Sequence, residues 1–437
     1  MDTEQAIEKS KEYEMENKQI LQILKHEFAP ALGCTEPVAI AYAAAKARKV
    51  LGKMPVRAVV NVSRNILKNA MGVGIPGTDM VGLEMAAALG IIGGDSDAVL
   101  EVLQKITKSD VERAEAFARE RVSVSLKDTP QKLYIEIILE TADDSSKVVI
   151  EDSHTNITKI FRGVTSIYDK NSCEELQEGK ASGQGLTVEE IYRFVVSEEV
   201  SKFEFMEECI RMNRTAAEEG LKGDYGLNVG KSLFESIKGR PLKENVPVYA
   251  AAMAAAAADA RMSGSTLPVM TVCGSGNQGL TATLPVIAAA EAMELDKEKL
   301  LRALALSCLT TIHVKQYIGK LSPLCGCGMG SSIGVCCALV YMQGGGMEEI
   351  KSAIRNMIAD VSGIICDGAK AGCALKIGTV VSGAFQCSML ALNKKSAGNL
   401  DGIVAKDVES TIKNLGELGN RGMADTDRVI LDMMVCS

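Results

Sequence analysis

Four cysteines in this chain stand where a soft metal group could be held. Cys34 lies in LGCTEP (32–37), Cys325 and Cys327 in PLCGCG (323–328), and Cys366 in GIICDG (363–368). Each sits beside glycine or proline and outside a continuous apolar face. Iron–sulfur clusters need thiolates on loops whose small neighbours let backbone N–H groups approach the sulfides. Spacing leaves a second reading open, because free cysteine is among the most buried residue types and often only fills space. No C-x-x-C pair is present, which argues against zinc ribbons and ferredoxins. Cys209, Cys308, Cys336, Cys337 and Cys387 fall within apolar helical text and read as packing. Cys436, next to last, is either a plain tail thiol or one that reaches back to an open metal.

Three further stretches carry polar chemistry. TVCGSGNQGLTATLP (271–285) holds Gly274, Gly276 and Gly279 in the G-x-G-x-x-G pattern, but helical text follows and no second strand is evident. A tight loop whose backbone amides, with Ser275, Asn277 and Gln278, hold a small anion such as a carboxylate is the better reading. SRNILKNAMGVGIPGT (63–78) places Asn65 and Lys68 before a glycine/proline loop. Lys68 could hold a carboxylate or act as a base if desolvated; a solvated turn is the bland alternative. HVKQYIGKLSPLCGCG (313–328) brings His313, Lys315, Tyr317 and Lys320 near the cysteine loop. With 3 histidines in the chain, a lone one such as His313 is more often structural than catalytic.

The elements that must position these residues follow from hydrophobic patterning. The composition is 47% hydrophobic but only 4% aromatic with no tryptophan, so the bulk lies in small-residue helices. VAIAYAAAKARKVLG reads as a buried helix closed by Gly52, and residues 55–63 alternate like a strand. From residue 122 short period-2 runs joined by polar turns predict a meander, making about five strands with the first. Thr187 to Glu190 form a capping box that opens a helical region. The expected fold is α+β, a large Ala/Gly-rich helical catalytic body with a smaller inserted antiparallel β-sheet unit. Its parts are 1–119, helical with the 55–63 strand and the first cysteine; 120–165, the meander; 166–245, linker and helices; and 246–437, the helical catalytic part.

Bulk properties exclude several roles. A net charge of −8 with no basic stripe argues against nucleic acid. The N-terminus is polar and acidic, and the longest apolar runs, such as 250–258, break before the roughly 20 residues a bilayer span requires. A cytoplasmic protein without a membrane partner is expected, and 13 cysteines with no scaffold spacing fit a reducing compartment.

LGCTEPVAIAYAAAKAR, NILKNAMGVGIPGT, CGSGNQGLTATLPV, LCGCGMGSSIGV and GIICDGAKAGCALKI together resemble the L-cysteine desulfidase family, in the same order over nearly the whole chain. That family is related to the α-subunit of iron–sulfur L-serine dehydratases. The resemblance implies a lyase of cysteine catabolism. It would carry a [4Fe-4S] cluster on three cysteines with one iron open, convert L-cysteine and water to pyruvate, ammonia and hydrogen sulfide, and need no pyridoxal phosphate. It assigns Cys34 and Cys366 as metal ligands, with either Cys327 or Cys325 as the third and Cys327 slightly favoured. Lys68, His313 and Ser275 become candidate bases. Ser275, Gly276, Asn277, Gln278, Asn65, Thr35 and Glu36 become substrate-binding candidates, the last two at a helix N-terminus near the open iron. L-serine or L-threonine dehydration is the chief rival, and a non-enzymatic cluster-binding redox sensor stands behind it. The partner expected is a small amino acid, L-cysteine or L-serine, and a homodimer is compatible with the sequence.

Overall fold

The computed structural model of the chain describes residues 3–170, 185–319 and 321–435. Cys436, Lys320 and residues 171–184 of the expected linker lie outside the described residues. The fold is α+β, with a helical body and a smaller sheet-bearing unit.

The body is built around Val246–Met262, a helix whose alanine run is buried on every side. Alanine lets neighbouring backbones approach closely, and Glu207–Lys222, Val229–Ser236, Gly276–Ala292 and Gly372–Leu392 all pack on this helix. Gly372–Leu392 has the length and composition of a membrane span, which the broken apolar runs did not suggest. It belongs instead to the packed body, against Val246–Met262, Ser332–Met342 and Met347–Val361.

A second core joins helix Thr35–Leu51 to a six-stranded sheet. With β1 (Phe28–Leu32), β2 (Arg57–Val62), β3 (Val122–Leu126), β4 (Tyr134–Glu140), β5 (Ser145–Glu151), β6 (Ile157–Arg162) and β7 (Thr165–Asp169), the sheet order is β3-β2-β4-β5-β6-β7. It is antiparallel except for the β2–β3 pair. The sixth strand, β7, occupies text whose polarity had suggested linker. Ile135, Ile137, Leu139, Val148 and Ile150 are buried, and helix Thr35–Leu51 packs on these two strands. The alternation of the sequence is thus the imprint of one helix-covered face.

Strand β8 (Pro268–Val272) pairs only with β1, antiparallel, and leads through Cys273–Ser275 into helix Gly276–Ala292. The G-x-G-x-x-G run therefore opens a helix after a strand but belongs to no parallel βαβ unit. The expected turn at 63–79 is partly helical, Arg64–Ala70, and it carries Asn65 and Lys68. The Thr187 capping box forms as expected, with Thr187 and Glu190 hydrogen-bonded reciprocally.

Candidate active site

One cavity of about 560 Å³ lies between the two cores. Cys34, Cys325, Cys327 and Cys366 all line it, although almost 300 residues separate the first from the second. Residues 323–325 and 364–366 run antiparallel through a single Leu324–Ile365 bridge. The Cys325 amide donates to Ile364 at 3.0 Å and the Cys366 amide to Pro323 at 2.6 Å, which fixes the two cysteines side by side. Cys327 follows Gly326, where a Cβ would lie 2.0 Å from Gln278 Oε1, so a side chain there would require Gln278 to move. Cys34 arrives from the other core at the N-terminus of helix Thr35–Leu51, packed with Val73, Met262 and Cys373.

The thiols are unequal. Cys327 donates to Cys325 and so holds the Cys325 thiol below the ordinary range, while that same bond and burial push Cys327 up. Burial and the Glu36 carboxylate push Cys34 far up, and its Sγ donates to Glu36 Oε2 at 3.2 Å. Burial also raises Cys366, followed by the charge of Cys325. Two lysines feel the thiols' charge, Lys315 on the cavity lining and Lys376 outside it. Buried Lys315 is lowered by desolvation against the opposing pull of the thiols. Burial works to lower Lys376, but its hydrogen bond to Asp367 and the thiol charges outweigh it and raise the group.

Lys68, 2% exposed, donates to the Cys366 carbonyl at 2.9 Å and to Asp427 Oδ1 at 2.5 Å. Asn65 donates to the other Asp427 oxygen at 2.9 Å. Asp427 comes from the last described helix, Thr426–Val435, so three distant segments meet at Lys68. Gly368 holds the adjoining loop against it, with φ +95° and an imagined Cβ 2.3 Å from the Lys68 carbonyl oxygen.

Arg261 lines the cavity from the alanine-rich helix, donating to Asn277 Oδ1 at 3.0 Å and to the Gly33 carbonyl at 2.6 Å. Its buried Nε has no hydrogen-bond partner. A guanidinium with donors to spare inside a cavity is suited to a carboxylate.

Residues 97–432 match the family described as serine dehydratase alpha chain. The chain belongs to the serine dehydratase alpha chain family. Relatives in this family include a UPF0597 protein of Aeromonas hydrophila, 43% identical and covering 95% of each chain. Another, from Bacteroides thetaiotaomicron, is 42% identical over 96% of this chain and 98% of its own. A UPF0597 protein of Clostridium perfringens is 43% identical over 95% of this chain and 97% of its own.

Within this member of the serine dehydratase alpha chain family, the other sequence candidates separate clearly. Thr35, Glu36, Asn65, Lys68, Ser275, Asn277 and Gln278 line the cavity with the cysteines. Ser275 is the N-cap of helix Gly276–Ala292, its oxygen accepting the Gln278 amide, and Gly276 lies under the Arg261 guanidinium. His313 is not on the lining; its Nε2 lies 2.8 Å from Glu409 Oε2, and Glu409 also accepts the Val188 amide, tying three helices together. Sequence reasoning missed Arg261, His154, Cys273 and Cys373, all of which line the cavity. The pair Asp259 and Arg261, two charges in an otherwise apolar alanine helix, was the available signal for Arg261. His154 sits in a polar turn, DSHTN, and gave none.

Among the described residues, no three His, Cys, Asp or Glu side chains converge as a single metal ion requires. A polynuclear cluster keeps its thiolates farther apart than one ion does, and the donors available here are soft thiols beside buried Lys315 and half-buried Lys376. That donor set fits an iron–sulfur group and suits a hard oxygen-seeking cation poorly.

Proposed function

We propose that this protein is an L-cysteine desulfidase, a lyase that eliminates the β-substituent of L-cysteine to give pyruvate, ammonia and hydrogen sulfide. The observation that carries the reading is the meeting, in one cavity, of loop-borne thiols from 34, 325–327 and 366 with the carboxylate-ready Arg261. Cys34, Cys366 and one cysteine of the 325–327 pair would hold a [4Fe-4S] cluster. Either Cys327 or Cys325 would complete the set, since both lie on the cavity lining and share a hydrogen bond. When bound, the cluster supplies a Lewis-acidic iron that favours departure of a sulfur or oxygen leaving group.

The chain's own residues do the rest. Arg261, with Asn277 beside it, takes the substrate carboxylate and orients Cα. Lys68 has its ammonium committed to Asp427 and the Cys366 carbonyl, so its work is to brace the ligand loop. Lys315 and Lys376 balance negative charge around the thiols. Loss of the α-proton and of the β-substituent leaves aminoacrylate, which tautomerises and is hydrolysed to pyruvate and ammonia.

The matched family's description favours L-serine dehydratase as the second reading, the same elimination with water as leaving group. Anaerobically reconstituted protein assayed with L-cysteine and L-serine side by side decides between them. Sulfide and pyruvate in equal amounts from cysteine are expected; pyruvate from serine alone would sink the desulfidase reading.

A further inference from the structure

The turn between β5 and β6 carries a histidine from the sheet unit into the cavity of the helical body. His154 lines that cavity, with its side chain 20% exposed. The turn is held closely: Ser153 N–H donates to Glu151 O at 2.7 Å, Asn156 N–H to Ser153 O at 3.1 Å, and the Asn156 side chain to Glu151 O at 2.8 Å. Asp152, immediately before, takes φ +66°, a left-handed conformation that costs a non-glycine residue energy and is kept where the surroundings demand it.

The imidazole faces a prepared anion. Glu36 Oε1 lies 3.9 Å from His154 Nε2. The same carboxylate accepts hydrogen bonds from Asn69 at 3.1 Å and Thr35 at 3.2 Å. A carboxylate 3.9 Å from an imidazole stabilises the imidazolium once the ring has taken a proton. Arg261 donates to the carbonyl of Gly33, three residues before Glu36, and lines the same cavity as this pair. Of the other histidines, His313 is off the lining, and His26 also lines the cavity but with its side chain 68% exposed.

We propose that His154 is the general base that removes the α-proton, with Glu36 as its positioning residue. The inference rests on the elimination proposed above. The Cα–H bond breaks and its proton passes to the imidazole. Its electron pair becomes the Cα=Cβ bond, and the Cβ–S pair leaves with sulfur as HS⁻. The imidazolium returns the proton to solvent after product forms, so no external oxidant or reductant is needed.

The test uses anaerobically reconstituted full-length protein, wild type beside His154→Gln and His154→Ala. Iron and sulfide content should match wild type in both variants, and binding of unreactive L-alanine by calorimetry should stay within about threefold. kcat for pyruvate formation should fall roughly 100- to 1,000-fold, the usual contribution of a positioned base. α-Deuterated substrate should then give a larger isotope effect in His154→Gln than in wild type, and added imidazole should partly restore His154→Ala. Variants that keep kcat within threefold, or that lose activity without a raised isotope effect or imidazole rescue, overturn the inference. A wild type that makes pyruvate from neither cysteine nor serine overturns the reaction reading, and this inference with it.

Discussion

Lys68 and Asp427 form a buried ion pair, Nζ to Oδ1 2.5 Å, between a helix near residue 68 and the last described helix of the chain. Lys68 also holds the carbonyl of Cys366, so the pair joins the end of the chain to a ligand loop. Asp427→Ala leaves a 2%-exposed ammonium unpaired and should destabilise the protein by about 3 kcal/mol, read as the urea midpoint. Lys68→Met with Asp427→Leu, which removes both charges, should recover most of that loss. Equal destabilisation in the double variant would show that packing, not charge, accounts for the effect.

The cysteine assignment has its own series. Cys34→Ala and Cys366→Ala should each lose most iron and sulfide after anaerobic reconstitution, as should one of Cys325→Ala and Cys327→Ala while the other keeps them. A full cluster in Cys34→Ala or Cys366→Ala would remove those residues from the ligand set. Whichever of the 325 and 327 variants loses the cluster identifies the third ligand.

Gly368 is a backbone constraint at the same loop. Alanine there meets both a φ of +95° and the Lys68 carbonyl oxygen at 2.3 Å. Gly368→Ala should cost about 2 kcal/mol or more in stability and lower iron retention, whereas Gly163→Ala, with open space around it, should cost about 1 kcal/mol. Similar unfolding midpoints for the two would discount the contact.

Arg261→Lys tests carboxylate binding. Lysine keeps the charge but not the planar fork, so KM for the amino acid should rise at least about tenfold with a smaller change in kcat. An unchanged KM would place the carboxylate elsewhere.

Asp259 should impose a pH dependence on stability. Burial raises its carboxyl to about 6, against about 3.9 in an unfolded chain. The folded protein therefore binds more protons than the unfolded between about pH 4 and 6, and stability falls as pH rises through that window, by about 2 kcal/mol. Asp259→Asn, which keeps an oxygen for the Gly230 amide, should flatten that slope. A slope identical to wild type's would assign the titration to other groups.

Much of the candidate site was legible in the chain's text. Cys34, Cys325, Cys327 and Cys366 stood out because glycine and proline around them break apolar periodicity, and Asn277 and Gln278 because they open a helix after a glycine loop. The roles of Lys68 and His313 were not legible: a lysine's task depends on whether a carboxylate faces it, and Asp427 and Glu409 are remote in sequence. Arg261 was hidden by its alanine-rich helix, and His154 by a turn that looks like any polar surface loop.

The sequence by itself determined the local elements and the soft-donor chemistry, because periodicity, capping residues and glycine breaks act within a few residues. Only the tertiary structure decided which polar groups share the cavity. Thr35–Leu51 must pack on the sheet to deliver Cys34, and β5–β6 must turn at 152–156 to deliver His154. Those placements depend on burying two separate apolar cores, a long-range condition that no short stretch of residues encodes.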